Sequence, residues 1–281
     1  MAIDATNAIA QIAYGLSGSN DRVLWDKASL ATQVVGQFCS LWLATGVPSA
    51  GSIPAAAAYC TKALTGSVGF TNQTSPATSY LAYQTLLAAT ANTNLEIHDR
   101  LAHMGGLNGT LLTAQTVGID LSTINAGGAV PAARLGASDY SDVCWFLEWY
   151  TATGATASNA TVNVTYNDGT TGNLAVIAVG GTAIAASQCR QLISAVAGKW
   201  IRAVTSVTLS ASTGTAGSFG VTATRQRSAM SAPISNKVEV FDWAQLGLPE
   251  IPNDSCIAGM LLSTATSTGT IKGQGKIIHV A

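Results

Sequence analysis

Residues 144–150, Cys-Trp-Phe-Leu-Glu-Trp-Tyr, alternate with a period of two, and apart from Glu148 both of their faces are apolar. Aromatic residues at that spacing build a β-strand, and a strand apolar on both sides is expected to be buried on both. The next segments of the chain keep the same period. Val162, Val164 and Tyr166 alternate with Thr161, Asn163 and Thr165 in a half-exposed strand, and Asn167-Asp168-Gly169 supplies residues that tolerate the positive φ of a hairpin turn. Leu174, Val176 and Ala178 continue on the return strand before Gly180-Gly181 turns again. A further series, Ile201, Ala203, Thr205, Val207 and Leu209, is expected to form a hairpin with Phe219, Val221 and Ala223 across the loop at 212–217. Short alternating strands with Gly-rich turns predict a mainly β chain, with an antiparallel β-sandwich or barrel over residues 137–228.

The flanking regions are less regular. Residues 1–136 read as a mixed, β-rich N-terminal region carrying short helices, the first capped by Asp4 and running to Tyr14. Residues 21–43 are ambiguous in period, residues 79–91 read as a strand or short helix, and residues 95–101 read as a strand. Residues 188–196 are a strand or short helix, because Leu192, Ile193 and Val196 fit helical spacing. Residues 229–281 supply closing strands at 237–241, 257–262 and 270–280. In the last of these, Lys272, Gly273, Gly275 and Lys276 suit a protected edge.

Only 10% of the 281 residues are charged, with a net charge of −1, against about 25% in an ordinary globular domain. A disordered chain would be richer in charge, and a nucleic-acid binder would cluster its Lys and Arg. No charge lies between Asp168 and Arg190 or between Arg202 and Arg225. The Thr/Ala/Val faces of those strands are therefore expected to be covered, by the protein's own sheets or by a neighbour's. Residues 1–10 lack the basic residue of a secretory leader. The apolar run from Val34 to Val47 ends at Pro48 and falls short of the ~20 residues that span a bilayer, so a buried segment is expected there rather than a membrane span. The five cysteines, Cys39, Cys60, Cys144, Cys189 and Cys256, lack metal or redox spacing and read as small buried hydrophobes in a reducing cytosol.

Glu96, His98, Asp99 and His103 are the densest cluster of chemistry-bearing side chains. On a strand, Glu96 and His98 share a face and Asp99 points away. Two histidines and a carboxylate suit a transition metal, and a Glu–His pair suits acid–base work. The spacing matches no metal motif, and His279 is the only other histidine, so these residues are read as structural. Asp139 and Asp142, beside Ser138 and Ser141, read as turn formers. Glu148 among aromatics could carry the raised pKa of a glycosidase acid. Without a matching second carboxylate it is expected instead to pair with Arg190, Arg202 or Arg225. The glycine runs at 105–109 and 180–181 lack a phosphate-loop Lys. No catalytic, cofactor-binding or metal-binding residue is assigned, no cofactor is expected, and the chain is read as no enzyme.

The segments 147–154, 160–166 and 204–221, with Val35–Trp42 and His98–Leu107 upstream, resemble virion structural proteins of tailed bacteriophages. The resemblance implies a non-enzymatic particle component in the virion, made in the bacterial host cytoplasm. The leading expectation is a capsid decoration or cement protein that bridges shell subunits. Its partners would be itself, as a trimer or other symmetric oligomer, and the major capsid protein, with no nucleic-acid or membrane binding. The alternatives are a tail or connector component and a carbohydrate-binding sandwich that exposes Trp149 or Tyr150.

Overall fold

The computed structural model describes residues 21–126 and 128–280, so the helix expected at 4–14 lies outside the described residues. Six antiparallel strands close into a barrel: β2 (Phe38–Ser40), β6 (Thr93–Leu107), β8 (Val143–Thr151), β12 (Gln188–Leu192), β14 (Ser218–Ala232) and β16 (Ile257–Leu262). Their order is β14-β8-β12-β2-β16-β6, and β6 pairs back onto β14. Closure removes the exposed edges of an open sheet. A two-residue strand, β4 (Ala58–Tyr59), extends the pairing along β6 beyond the reach of β16.

Two antiparallel sheets flank the barrel. The first orders β15 (Val238–Asp242), β5 (Thr78–Ala88), β17 (Ile271–Val280), β1 (Asp21–Lys27) and β3 (Gly46–Val47). The second orders β10 (Thr171–Asn173), β9 (Asn159–Tyr166), β13 (Ile201–Leu209) and β7 (Gln115–Asp120), with β11 (Ile177–Ala178) also on β9. Alternation on β8 decides what each layer touches. Trp145, Leu147 and Trp149 turn outward, into one apolar cluster with Val162, Val164, Val204 and Val207 of the second sheet. Phe146 turns inward to Cys189 and Met260. The strand is buried on both faces, as its composition demands. The long strand β6 serves both layers, because Leu95 and Ile97 pack with Trp25, Leu81, Ile271 and Ile277 of the first sheet, while Leu101 and Leu107 pack with the second.

The mainly β, antiparallel reading holds, and the structure places several strands differently. Residues 201–209 and 219–223 form no hairpin: β13 pairs with β9 and β7, whereas β14 enters the barrel. The loop between them crosses from one layer to the other, held by Thr213 N–H donating to the Gly109 carbonyl at 2.8 Å. The ambiguous stretches at 79–91 and 188–196 are strands, and Ile193 and Val196 lie beyond β12, exposed. The short helix α1 (Ala132–Leu135) closes the N-terminal region. The last strand, β17, is no edge: it lies between β5 and β1, with Lys276 buried. Its glycines permit this close packing, since a Cβ on Gly273 would strike the Thr85 carbonyl and one on Gly275 the Gln84 side chain. The barrel draws strands from all three zones of sequence texture. No helix among the described residues is long and apolar enough to cross a membrane, and the 34–47 run contributes the buried Cys39, Leu41, Trp42 and Ala44.

Gly220 lies where β14 meets β6, and a Cβ there would collide with the Met104 carbonyl, a backbone group that cannot swing aside. Gly220→Ala is expected to cost about 3 kcal/mol. Gly69→Ala, with open space around the position, is expected to stay within about 0.5 kcal/mol of the parent. Urea unfolding midpoints of the two variants check the contrast.

Candidate functional site

The densest set of ionisable side chains lies in and around the barrel wall at β6, where three consecutive residues take different partners. His98 turns inward, its Nε2 2.8 Å from the Glu96 carboxylate and its Nδ1 2.9 Å from Thr224 Oγ1. Asp99 turns out of the barrel and accepts from Arg134 Nε at 2.9 Å, Arg134 Nη2 at 2.5 Å, Arg227 Nη2 at 3.1 Å, Ser255 Oγ at 2.9 Å and the Cys256 N–H at 2.9 Å. Arg100 turns inward and grips Glu148 through Nη1 at 3.2 Å and Nη2 at 2.6 Å. A two-pronged pairing of this kind is the strongest that Arg and a carboxylate form. Arg100 Nε donates to His103 Nδ1 at 3.0 Å, Nη2 is also 2.8 Å from Tyr150 Oη and 3.0 Å from Thr222 Oγ1, and the guanidinium lies 4.6 Å from the Trp42 ring centroid. Thr222 and Tyr150 both donate to Glu148 as well.

Burial shapes the protonation of this network. Desolvation works to raise the Glu148 carboxyl, but the charge and hydrogen bonds of Arg100, with those of Thr222, hold it below the ordinary glutamate value. Asp99 is likewise raised by burial and brought below its ordinary value by Arg134, Arg227 and Ser255. Tyr150 is pushed well above the usual phenol range by burial and by Glu148. His103 falls to about 3, through burial first and the adjacent Arg100 charge second. It is neutral, and its Nδ1 accepts the Arg100 hydrogen bond.

The four-residue cluster seen in the sequence therefore separates into three. Glu96 and His98 do share a face and touch, Asp99 does point away, and His103 belongs with Arg100. Among the described residues no group of three His, Cys, Asp or Glu side chains is arranged to hold a metal ion. Glu148 pairs with none of the three arginines expected. Arg190 follows the inward-facing Cys189 and leaves the lumen, Arg202 lies on the second flanking sheet beside Asp120 at 3.3 Å, and Arg225 meets Asp142 at 3.5 Å. Asp139 accepts from the Ser141 N–H and Asp142 from the Ala137 N–H, as turn formers do. His279, on β17, lies 3.3 Å from Asp21 and 3.0 Å from Ser79. Trp149 and Tyr150 are 0% and 3% exposed, so neither offers a platform for a sugar.

Arg100, Arg134 and Thr222 are the network residues that spacing did not reveal. One signal was present: Arg100 and Arg134 bracket a stretch whose only charge is Asp120, and isolated arginines among apolar residues need partners when buried. A surface cleft of about 280 Å³ opens beside α1, lined by Thr78, Pro131, Arg134, Glu250 and Asp254 among others. Arg134 is committed there to Asp99, Tyr59 and the backbone carbonyls of Cys60 and Arg100.

No protein-family profile matches the chain, and no curated protein matches it. Among solved structures, similarity is found to the D431N mutant VP2 protein of infectious bursal disease virus in derived T=1 particles. That match has 10% identity over 97% of this chain and 82% of that one, with a TM-score of 0.16. The VP2 subviral particle of the same virus matches at 11% identity over 98% of this chain and 86% of that one, also with a TM-score of 0.16. TM-scores this low do not show a shared fold.

Removing one partner of a buried ion pair strands the other. Arg100→Met and Glu148→Leu are each expected to cost about 3–5 kcal/mol, and the double variant much less than their sum; urea unfolding of the four chains measures this. The neutral His103 gives a pH signature. Its folded pKa of about 3 lies below the ordinary 6.5, so the unfolded chain takes up the proton first as pH falls. The stability it contributes is complete above about 6.5 and declines toward acid at about 1.4 kcal/mol per pH unit. His103→Asn, which keeps an acceptor for Arg100, is expected to flatten the urea midpoint between pH 7.5 and pH 5; equal slopes in both proteins would refute the assignment.

Proposed function

We propose that the chain is a non-enzymatic structural component of a virion, and within that class a bacteriophage decoration or cement protein that bridges and stabilises shell subunits. The observation that carries this reading is the outer face of the second flanking sheet. There the strand register sets Thr116, Ser206, Asn163 and Asn173 side by side across four strands, with Thr208 beside Thr161 in the next row. Thr205 donates to Asn163 Oδ1 at 2.6 Å, and Asn163 donates to Asn173 at 2.9 Å. The face is a lattice of neutral hydrogen-bonding groups, with its charges, Asp120 and Arg202, paired at one end at 3.3 Å. Such a surface docks against another protein without the desolvation cost or mutual repulsion of charge. Exposed Ile193, Val196 and Trp200, in the connection leading into β13, add apolar area of the kind found at interfaces.

The interior supports the same reading. Glu148, His103 and Asp99, the groups best suited to chemistry, are each closed into hydrogen-bonded pairing inside the packed wall. The carbohydrate-binding alternative loses the exposed Trp149 or Tyr150 on which it was built, since both are buried.

Particles assembled with the protein are expected to resist heating better than particles without it and to show added density on the shell in negative stain. Unchanged resistance and a bare shell would overturn the decoration role, and ring or tube formation by the purified protein would move it to the tail or connector. Ser206→Arg sets a charge in the middle of the neutral row. It is expected to weaken particle binding at least ~10-fold while leaving the urea midpoint within about 0.5 kcal/mol of the parent.

A further inference from the structure

Two cysteines nearly two hundred residues apart in sequence meet at one point on β6. Cys60 follows β4 and donates its N–H to the Leu101 carbonyl at 3.0 Å, while the Cys256 carbonyl, just before β16, accepts from the Arg100 N–H at 2.8 Å. With Tyr59 opposite Ala102 and Ile257 opposite Asp99, the two segments run end to end along one edge of β6 and abut at these cysteines. Both side chains are fully buried, in one cluster with Trp42 and Tyr150, the Cys60 thiol lies 3.9 Å from the Ala58 carbonyl, and the two thiols sit close enough for each to shift the other's titration. Neighbouring slots on one strand edge lie within the roughly 4–7 Å between Cα atoms that a disulfide needs.

We propose that Cys60 and Cys256 form a redox-active pair that closes to a disulfide and staples β4 to β16 along the edge of β6. The two sulfurs are not equivalent. Burial pushes both up, and Cys60 stays well above the ordinary thiol value. For Cys256 the neighbouring Cys60 thiol and the nearby Arg100 charge outweigh burial and bring it below that value. Cys256 is therefore the nucleophile and Cys60 the resolving thiol. With hydrogen peroxide as oxidant, the Cys256 thiolate attacks one peroxide oxygen. The O–O bond breaks, hydroxide takes the thiol proton to leave as water, and a sulfenic acid remains. Cys60 sulfur then attacks that sulfur, the S–S bond forms as the S–O bond breaks, and the hydroxyl departs with the Cys60 proton as a second water. Two thiols and one peroxide yield one disulfide and two waters. The other three cysteines lie outside this cluster, Cys39 among the residues packed on the first flanking sheet and Cys144 and Cys189 beside Phe146, and burial raises all three. For a chain made in a reducing cytosol and carried out in a particle, as proposed above, closure would follow release. The chemistry itself does not depend on that role.

The test uses the full chain in two arms, native protein held in hydrogen peroxide and reduced, denatured protein refolded in a glutathione redox buffer, which removes any barrier of access to the buried thiols. Remaining thiols are alkylated under denaturing conditions and the digest is mapped without reductant. The expected result is a loss of about 2 Da before alkylation and a single cross-link, Cys60 to Cys256, reversed by dithiothreitol. The melting midpoint of the oxidised chain should rise on the order of 5–10 °C. Cys189→Ser should keep the cross-link, and Cys256→Ser should abolish it. Five alkylated cysteines in the refolding arm, or cross-links spread over Cys39, Cys144 and Cys189, would overturn the proposal. Neither outcome bears on particle binding.

Discussion

Asp99 and Arg100 are consecutive residues of one strand, and alternation sends their opposite charges to opposite sides of the barrel wall. Arg100 goes inward to Glu148 on β8, and Asp99 goes outward to Arg134 on α1 and Arg227 on β14. Neither charge can be left alone there, because an unpaired buried ion costs several kcal/mol. The two demands together fix where β8, β14, α1 and the start of β16 sit around β6. A register slip of one residue would drive Asp99 into the lumen beside Glu148 and Arg100 toward Arg134, giving two like-charge contacts in place of two ion pairs. The apolar clusters on either side tolerate exchanges of similar volume. The charged pairs do not, and they define which of many β packings this chain adopts.

The layered arrangement follows from that register. With β6 anchored at residues 99 and 100, its first half presents Leu95 and Ile97 to the first flanking sheet and its second half presents Leu101 and Leu107 to the other. Gly220 and Gly275 belong to the same constraint, since each allows a neighbouring backbone or side chain to approach where a methyl group would not fit. The cysteine pair abuts the anchor directly: the Cys256 N–H donates to the same Asp99 carboxylate that holds Arg134.

The legible parts of this fold were those set by local pattern. The two-sided burial of β8 was visible because Trp145, Leu147 and Trp149 alternate with Phe146, Glu148 and Tyr150. The β9–β10 turn was visible because Asn167-Asp168-Gly169 can adopt positive φ, and Gly169 does, at 84°. What local pattern does not carry is which strands become neighbours. The period of 201–209 and 219–223 is the same whether the two strands pair in one sheet or face each other across a core, and the structure takes the second course. Lys272 and Lys276 look like edge protection until the topology puts β17 in mid-sheet. Glu148 plainly needed a cation, yet its partner lies on β6, earlier in the chain, and no spacing rule connects residues 100 and 148.

The scarcity of charge looks different once the charges are located. Lys27, Asp99, Arg100, Arg134, Glu148 and Lys276 are all buried to within a few per cent, and the Arg227 side chain is nearly so. Some of the few ionic groups are thus committed to the interior, and the charge left at the surface is sparse. The apolar faces of the alternating strands are covered by the protein's own barrel. Outward they leave rows of Thr, Ser and Asn that already hydrogen-bond to one another. A soluble monomer ordinarily keeps charge on its surface to hold copies apart. A surface this sparse in charge, with its remaining polar groups already ordered, offers faces that a neighbour could cover at small desolvation cost.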